Sequence, residues 1–248
     1  MKKVCVIGLG TIGYPAALHI KEKSFQVIGV DVRSLIIKEF PTTAAVAQSD
    51  IYVICVNTKN VTDVCANISP GSLVFIESTV PVGLCRSLAE KHDLKIAHCP
   101  HRYWVGDQKN HGIQQLRVLG AVDKDTLSQA KTFYDELSIP VNTVSNIEAA
   151  ELSKLTENTY RFVEIAFAEE LRIVCEELSL DFEEVRRASN TKWNVNILEA
   201  RDGIGGTCLP KDTNIFLKLT GRNHFLVEGA AKMDAMYKKW VSQKKPHS

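Results

Sequence analysis

Long apolar runs, an excess of charge of one sign and metal-type cysteine spacing are all missing from this 248-residue chain. No apolar run approaches the roughly 18 residues needed to cross a bilayer, so a membrane span is not expected. The formal net charge is only +1, which leaves no broad basic field for nucleic acid or an anionic surface. The seven cysteines are odd in number and scattered, which argues against a disulfide framework or a metal centre. Cys5 and Cys55 fall in apolar runs and Cys175 in a helical pattern, as expected of reduced, buried thiols in a cytoplasmic protein. From 147 to 178 there is neither proline nor glycine, within the longest such stretch in the chain. Otherwise the composition, 45% hydrophobic and 24% charged, is that of an ordinary globular protein.

The first half alternates short apolar runs with helical segments. "KKVCVIGLGTIG" reads as a strand broken by Gly8, Gly10 and Gly13, in the pattern G-x-G-x-x-G. Its two lysines and following apolar residues also fit the start of a signal peptide, but the glycine spacing gives the better reading. "YPAALHIKEK" follows as a helix, and "FQVIGVD" as a second strand ending at Asp31. A strand, a glycine-rich turn, a helix and an acid about 18 residues on form the dinucleotide fingerprint in its required context. Gly8 allows the tight turn, Gly10 the approach of a pyrophosphate, and Gly13 close packing of helix on strand. Asp31 would accept hydrogen bonds from the adenosine ribose, which favours NAD. Arg33 leaves this open, since it would meet a 2′-phosphate, stack on adenine or face solvent.

Further strands are read at "DIYVICV", "SLVFIEST", "LKIAHCP", "RVLGAV" and "PVNTV", with a helix near 124–137. Ligands of open parallel sheets bind at the carboxyl ends of strands, so Asn57, Thr58, Ser78 and Thr79 are expected at the crevice. Turn chemistry explains any one of them equally well. The cofactor-binding set is Gly8, Gly10, Thr11, Ile12, Gly13, Asp31, Arg33, Val56, Asn57, Thr58, Ser78, Thr79 and Lys211; no metal site is expected.

The period then becomes helical over about 30 residues, long enough to carry a second domain and a dimer contact. Lys154 and Asn158 lie four apart on one face of that helix, with Glu151, either as a functional pair or as a solvated charged face. "LDFEEVRRASN" reads as a helix capped by Asp181. "GIGGTCLPKD" follows, a glycine loop in which Pro210 is expected to prevent a helix from starting before it. Cys208 there is outside any core pattern. Glycines beside it admit a substrate carbon, and Lys211 would favour the thiolate. An incidental thiol in a turn is the plainer alternative.

The segments "VIGLGTIGYPAA", "ESTVPVG", "CPHRYWVGD", "AAELSKLTENTYRFVEIAFAEEL" and "GIGGTCLPKD" together resemble the UDP-glucose/GDP-mannose 6-dehydrogenase family, most closely its UDP-N-acetylmannosamine dehydrogenase branch. The resemblance implies an α/β fold: a doubly wound parallel Rossmann sheet at 1–146, an all-α dimerisation domain built on one long helix at 147–240, and a tail at 241–248. It implies NAD-dependent oxidation of C6 of a sugar or nucleotide sugar to a carboxylate by a homodimer. It makes Cys208 the nucleophile, Lys154 and Asn158 the holders of the alkoxide, Asp212 a proton-transfer partner of the lysine, and Thr79 a neighbour of the water involved. Alternatives are a non-catalytic NAD-binding member or one needing a partner chain, and a two-electron β-hydroxyacid-type dehydrogenase, which shares the Lys-x-x-x-Asn pair. The sequence departs from the family at His101, where the family has a glutamate that assists thioester hydrolysis. It departs also at Arg201-Asp202, at Thr207, and at Glu169, where the family has asparagine. The family's third, nucleotide-gripping domain is expected to be absent.

Overall fold

The computed structural model describes residues 1–244. They form two compact units, Met1–Lys154 and the chain from Leu155 onward.

In the first unit the strands are β1 (Lys3–Ile7), β2 (Gln26–Val30), β3 (Thr42–Thr43), β4 (Ile51–Ile54), β5 (Leu73–Ile76), β6 (Lys95–His98), β7 (Arg117–Ala121) and β8 (Val141–Thr143). The helices are α1 (Gly13–Glu22), α2 (Val61–Cys65), α3 (Leu84–His92), α4 (Gln108–His111), α5 (Lys124–Glu136) and the start of α6 (Ile147–Glu177). The strands make one sheet in the order β3-β2-β1-β4-β5-β6-β7-β8. This is the doubly wound order, reversing at β1/β4, where ligands of such sheets bind. The sheet is not wholly parallel, as the sequence reading has it: β7 pairs antiparallel with β6, and β8 follows β7. The connection from β6 to β7 carries only a 3-10 turn (Val105–Asp107) and the four-residue α4, well short of a crossover helix that would return the chain to the same end.

Alternate residues of each central strand enter opposite cores. Val4, Val6, Val53 and Phe75 pack with Ala17 and Ile20 of α1 and Phe133 of α5. Cys5, Ile54 and Ile76 pack with Val61, Leu88 and Ile147 on the other face. The beginning of α6 is fixed to this unit by two acids. Glu151, fully buried, accepts the backbone N–H groups of Gly83 (2.6 Å) and Cys85 (2.9 Å) at the start of α3, satisfying donors the helix itself leaves open. Glu148 pairs with Arg86.

The second unit holds the rest of α6, α7 (Phe182–Ser189), α8 (Cys208–Phe216) and α9 (Phe225–Lys244). Asp181 caps α7, its side chain accepting from Glu184 N at 2.6 Å. Phe162 and Ala166 of α6 pack with Met233 and Tyr237 of α9. Residues 241–244, read above as the start of a tail, are the last turn of α9; 245–248 lie outside the described residues. A second expectation fails at α8. The helix begins at Cys208, two residues before Pro210. Its first helical bond runs from Lys211 N to Thr207 O, and none of the preceding three residues needs an intrahelical donor. Proline, which has none, is therefore tolerated in the first turn.

Glu169 is a costly polar residue of this unit. It is fully buried, and neither carboxyl oxygen has a hydrogen-bond partner. Burial first, and the charge of Asp234 second, push its carboxyl up to about 7, against the pull of Lys238. The folded state therefore holds this proton more tightly than the unfolded chain. Below about pH 4.5 both states are protonated and Glu169 costs no ionisation. As pH rises towards 7 that advantage is lost, by up to about 3 kcal/mol. Glu169→Gln is expected to match the wild type near pH 4.5 and to exceed its melting temperature by several degrees at pH 8, followed by thermal denaturation across that window.

Candidate functional site: a crevice at the sheet switch point and an exposed thiol

At the switch point of the sheet, the first unit has a crevice of about 1000 Å³. Gly8 turns the chain out of β1 at φ +91°, and a Cβ there would stand 2.6 Å from Cys55 O. A Cβ on Gly13 would stand 1.8 Å from Gly8 O, while Gly10 has nothing within 4 Å. Two glycines thus let α1 close on the turn, and the third leaves a bare backbone facing open space. Residues from all these elements line the crevice: Gly8, Gly10, Thr11 and Ile12, then Asp31 and Arg33 beyond β2, then Val56 and Asn57 beyond β4. Ala44 and Val46 also line it; the two-residue β3 that brings them there has no periodic signal to read.

The remaining residues of the expected set stand elsewhere. Gly13 lies in the packing contact beneath the turn. Ser78 is buried, its hydroxyl directed at Val56 O (2.6 Å) and Ile54 O (3.2 Å). Thr58 Oγ1 donates to Thr79 O at 2.7 Å, pinning the two strand ends together. Lys211 belongs to the second unit, where its Nζ is 2.6 Å from Asp212 Oδ1.

Behind the carboxyl ends of β4, β5 and β6 is a buried polar cluster that no local pattern announced. Glu77 Oε1 accepts from Arg117 Nη1 (3.1 Å) and Tyr134 OH (2.8 Å), and Oε2 meets His101 Nε2 in an ion-pair contact and Cys55 Sγ at 3.7 Å. Burial alone raises the Glu77 carboxyl; His101, Arg117 and Tyr134 reverse this and keep it ionised. For His101, burial and then the Arg117 charge outweigh the pull of Glu77 and lower the imidazole. His101 thus lies in the interior, against Glu77. His98 donates its Nδ1–H to Ile76 O at 2.8 Å, which fixes the tautomer. Burial lowers it to about 4, and Lys154 adds to the effect.

In the second unit, Cys208 is the first residue of α8 and exposed; the other six cysteines are buried or half-buried. The first turn of a helix directs unbonded N–H groups outward, a setting that stabilises nearby negative charge. The loop before it is held by α9: Ile204 N donates to Asp234 Oδ1 and Lys238 Nζ to Ile204 O, each at 2.8 Å. Gly203 and Gly206 take φ of +101° and +74°, values that a side chain resists. One turn on from Cys208, and on its face of α8, Asp212 is 1% exposed. Asn158 Nδ2 donates to its Oδ2 at 2.5 Å, tying α6 to α8. Asn158, Cys208, Lys211 and Asp212 are therefore gathered in one unit; Thr79 and Lys154 belong to the other.

Comparisons with known proteins agree with this architecture. The sequence profile of the UDP-glucose/GDP-mannose dehydrogenase family, central domain, matches residues 148–235. The UDP-N-acetyl-D-mannosamine dehydrogenase of Methanocaldococcus jannaschii is 29% identical over 289 residues, covering 98% of this chain and 67% of its own length. The UDP-D-ManNAc dehydrogenase structure from Pyrococcus horikoshii aligns with TM-score 0.87 at 24% identity, covering 97% of this chain and 70% of that one. Mycobacterium tuberculosis 3-hydroxyisobutyrate dehydrogenase aligns with TM-score 0.76 at 18% identity, covering 98% and 94%. The chain spans about two thirds of the length of the curated relatives it matches. Residues 148–235 thus match the central domain of the UDP-glucose/GDP-mannose dehydrogenase family.

Proposed function

We propose that the protein oxidises the C6 primary alcohol of a nucleotide-linked hexose to the carboxylate in two NAD-dependent steps, through a covalent adduct on Cys208. The observation that carries this reading is the single exposed thiol at the head of α8, on the same helical face as the anchored carboxylate of Asp212. The relatives named as UDP-N-acetyl-D-mannosamine dehydrogenases support the substrate class.

The crevice residues fit a dinucleotide: the glycine turn is closed to side chains on one side and open on the other, with Asp31 at the end of β2. Gly10, Thr11 and Ile12 would hold the pyrophosphate and Asp31 the adenosine ribose. NAD, when bound, supplies the two-electron acceptor for each oxidation.

The protein's own residues do the rest. After the first oxidation, Cys208 Sγ adds to the aldehyde carbon, forming a C–S bond and a thiohemiacetal. Lys154 and Asn158 hold the oxygen on which negative charge develops. The second oxidation leaves a thioester. Water adds to its carbonyl carbon, the C–S bond breaks, and the thiolate returns as the carboxylate departs. Lys154 and Asp212 pass protons through water beside Thr79. One alcohol and one water thus yield one carboxylate, two reduced dinucleotides and three protons. A covalent adduct keeps the aldehyde from escaping between oxidations.

Tyr160, Phe167 and Val174 recur at sevens on α6 and are 62%, 55% and 42% exposed. This supports pairing with a second copy along that helix.

The fold-level match to a 3-hydroxyisobutyrate dehydrogenase favours one alternative, a single two-electron oxidation at the same crevice. NADH released per substrate, read by absorbance across free sugars, sugar phosphates and UDP-sugars, separates the two. Two per molecule is expected, with UDP-linked hexoses the substrates; one per molecule would establish the alternative.

A further inference from the structure

The carboxylate that should receive the adenosine ribose is already fully engaged. Asp31 Oδ1 accepts from the backbone N–H of Arg33 at 3.0 Å and from Arg33 Nε at 2.9 Å. Oδ2 accepts from the backbone N–H of Leu9 at 2.9 Å and from Arg33 Nη2 at 3.0 Å. A carboxylate has about four acceptor positions, and all are filled. Two donors are backbone and fixed. The other two belong to one long side chain that is 59% exposed, while Asp31 itself is 8% exposed.

This arrangement is specific in what it permits. If the Arg33 side chain swings away, two acceptor positions open, one for each hydroxyl of a ribose. The arginine is exposed to solvent, and its remaining side-chain bond, Nη2 to Leu9 O, is long at 3.2 Å, so a ribose can displace it. If Arg33 stays, the Asp31 charge is neutralised in place, and the N–H groups of Nη1 remain available at the crevice wall. An uncompensated aspartate would repel a 2′-phosphate. A guanidinium lying on that aspartate cancels the repulsion and offers a charge-assisted contact to the phosphate.

We propose that Arg33 is a displaceable latch on Asp31, through which the crevice accepts dinucleotides with either a free 2′-hydroxyl or a 2′-phosphate, NADP as well as NAD. This rests on reading the crevice as a dinucleotide site. Arg33 is the specificity-determining residue: present, it competes with the ribose of NAD and recruits the phosphate of NADP; absent, it does neither.

The test is calorimetric titration of the whole chain with NAD and with NADP, for the wild type and Arg33→Ala. Wild-type affinities for the two are expected within about 10-fold of each other, because neither ligand meets an uncompensated charge. Arg33→Ala should bind NAD as tightly as the wild type or a few-fold more tightly, and NADP about 30-fold more weakly or worse. A wild type that binds NAD but binds NADP more than about 100-fold more weakly overturns the proposal and leaves the NAD reading standing. Equal losses for both ligands in Arg33→Ala also overturn it, showing the arginine to lie on the adenine. Absence of binding by either ligand to the wild type overturns this proposal and the dinucleotide reading together.

Discussion

Cys208→Ser is expected to abolish carboxylate formation, by about 10³-fold or more, while leaving dinucleotide binding intact. A serine hydroxyl has the thiol's size but ionises far less readily, and a nucleophile that acts covalently typically carries a factor of this order or larger. The substitution sits at an exposed position in the first turn of α8, where serine is well accommodated, so folding is not expected to suffer. NADH absorbance with a UDP-hexose, beside calorimetry with NAD, reads both consequences. Survival of two-step oxidation in Cys208→Ser would remove Cys208 from the chemistry. Loss of NAD binding along with activity would show a structural rather than a nucleophilic role.

The second large effect concerns stability. Glu77→Ala is expected to cost about 3–5 kcal/mol, because it strands the charge of Arg117 in the interior. Arg117 is 1% exposed, and besides Glu77 its side chain donates to Ile113 O, a neutral acceptor. Tyr134 OH and His101 lose the same partner. For a chain of this size that corresponds to a fall of roughly 10 °C in melting temperature. A well-packed apolar replacement of a buried ion pair is often close to neutral. The double variant Glu77→Met/Arg117→Met is therefore expected to recover most of the loss, and the non-additivity is the signature of the pair. A single-variant loss below about 1 kcal/mol would mean that the cluster carries no buried charge.

Much of this fold is written in local pattern. Every strand from β4 to β8, and β1 and β2 before them, lies within an apolar run quoted from the sequence. Those runs are short and bounded, and the central ones, β1, β4, β5, β6 and β7, are buried on both faces, as strands inside a layered sheet are. The long α6 is legible for a similar reason: proline and glycine are absent across it. The glycine turn is legible because only glycine fits the geometry at Gly8 and Gly13.

What escaped reading depends on distant partners or on position within a helix. The Glu77 cluster joins residues 40 and 57 positions apart, and nothing near Glu77 in sequence announces Arg117 or Tyr134. The reversal of β7 depends on a connection whose length and direction have no periodic mark. Pro210 misleads because proline breaks a helix in its middle but not in its first turn. Ser78 looks like a ligand-binding hydroxyl in sequence, yet its proton goes to a neighbouring strand end. Arg33 has three possible fates by sequence, and a fourth, its hold on Asp31, needed coordinates.

The most direct test of the account is mass analysis of the protein, acid-quenched during turnover with NAD and a UDP-hexose. The account predicts an acyl adduct of the substrate on the peptide that contains Cys208, removed by hydroxylamine as a thioester should be. Steady oxidation to the carboxylate with that peptide unmodified, and with the sulfur alkylated without effect on rate, would contradict it.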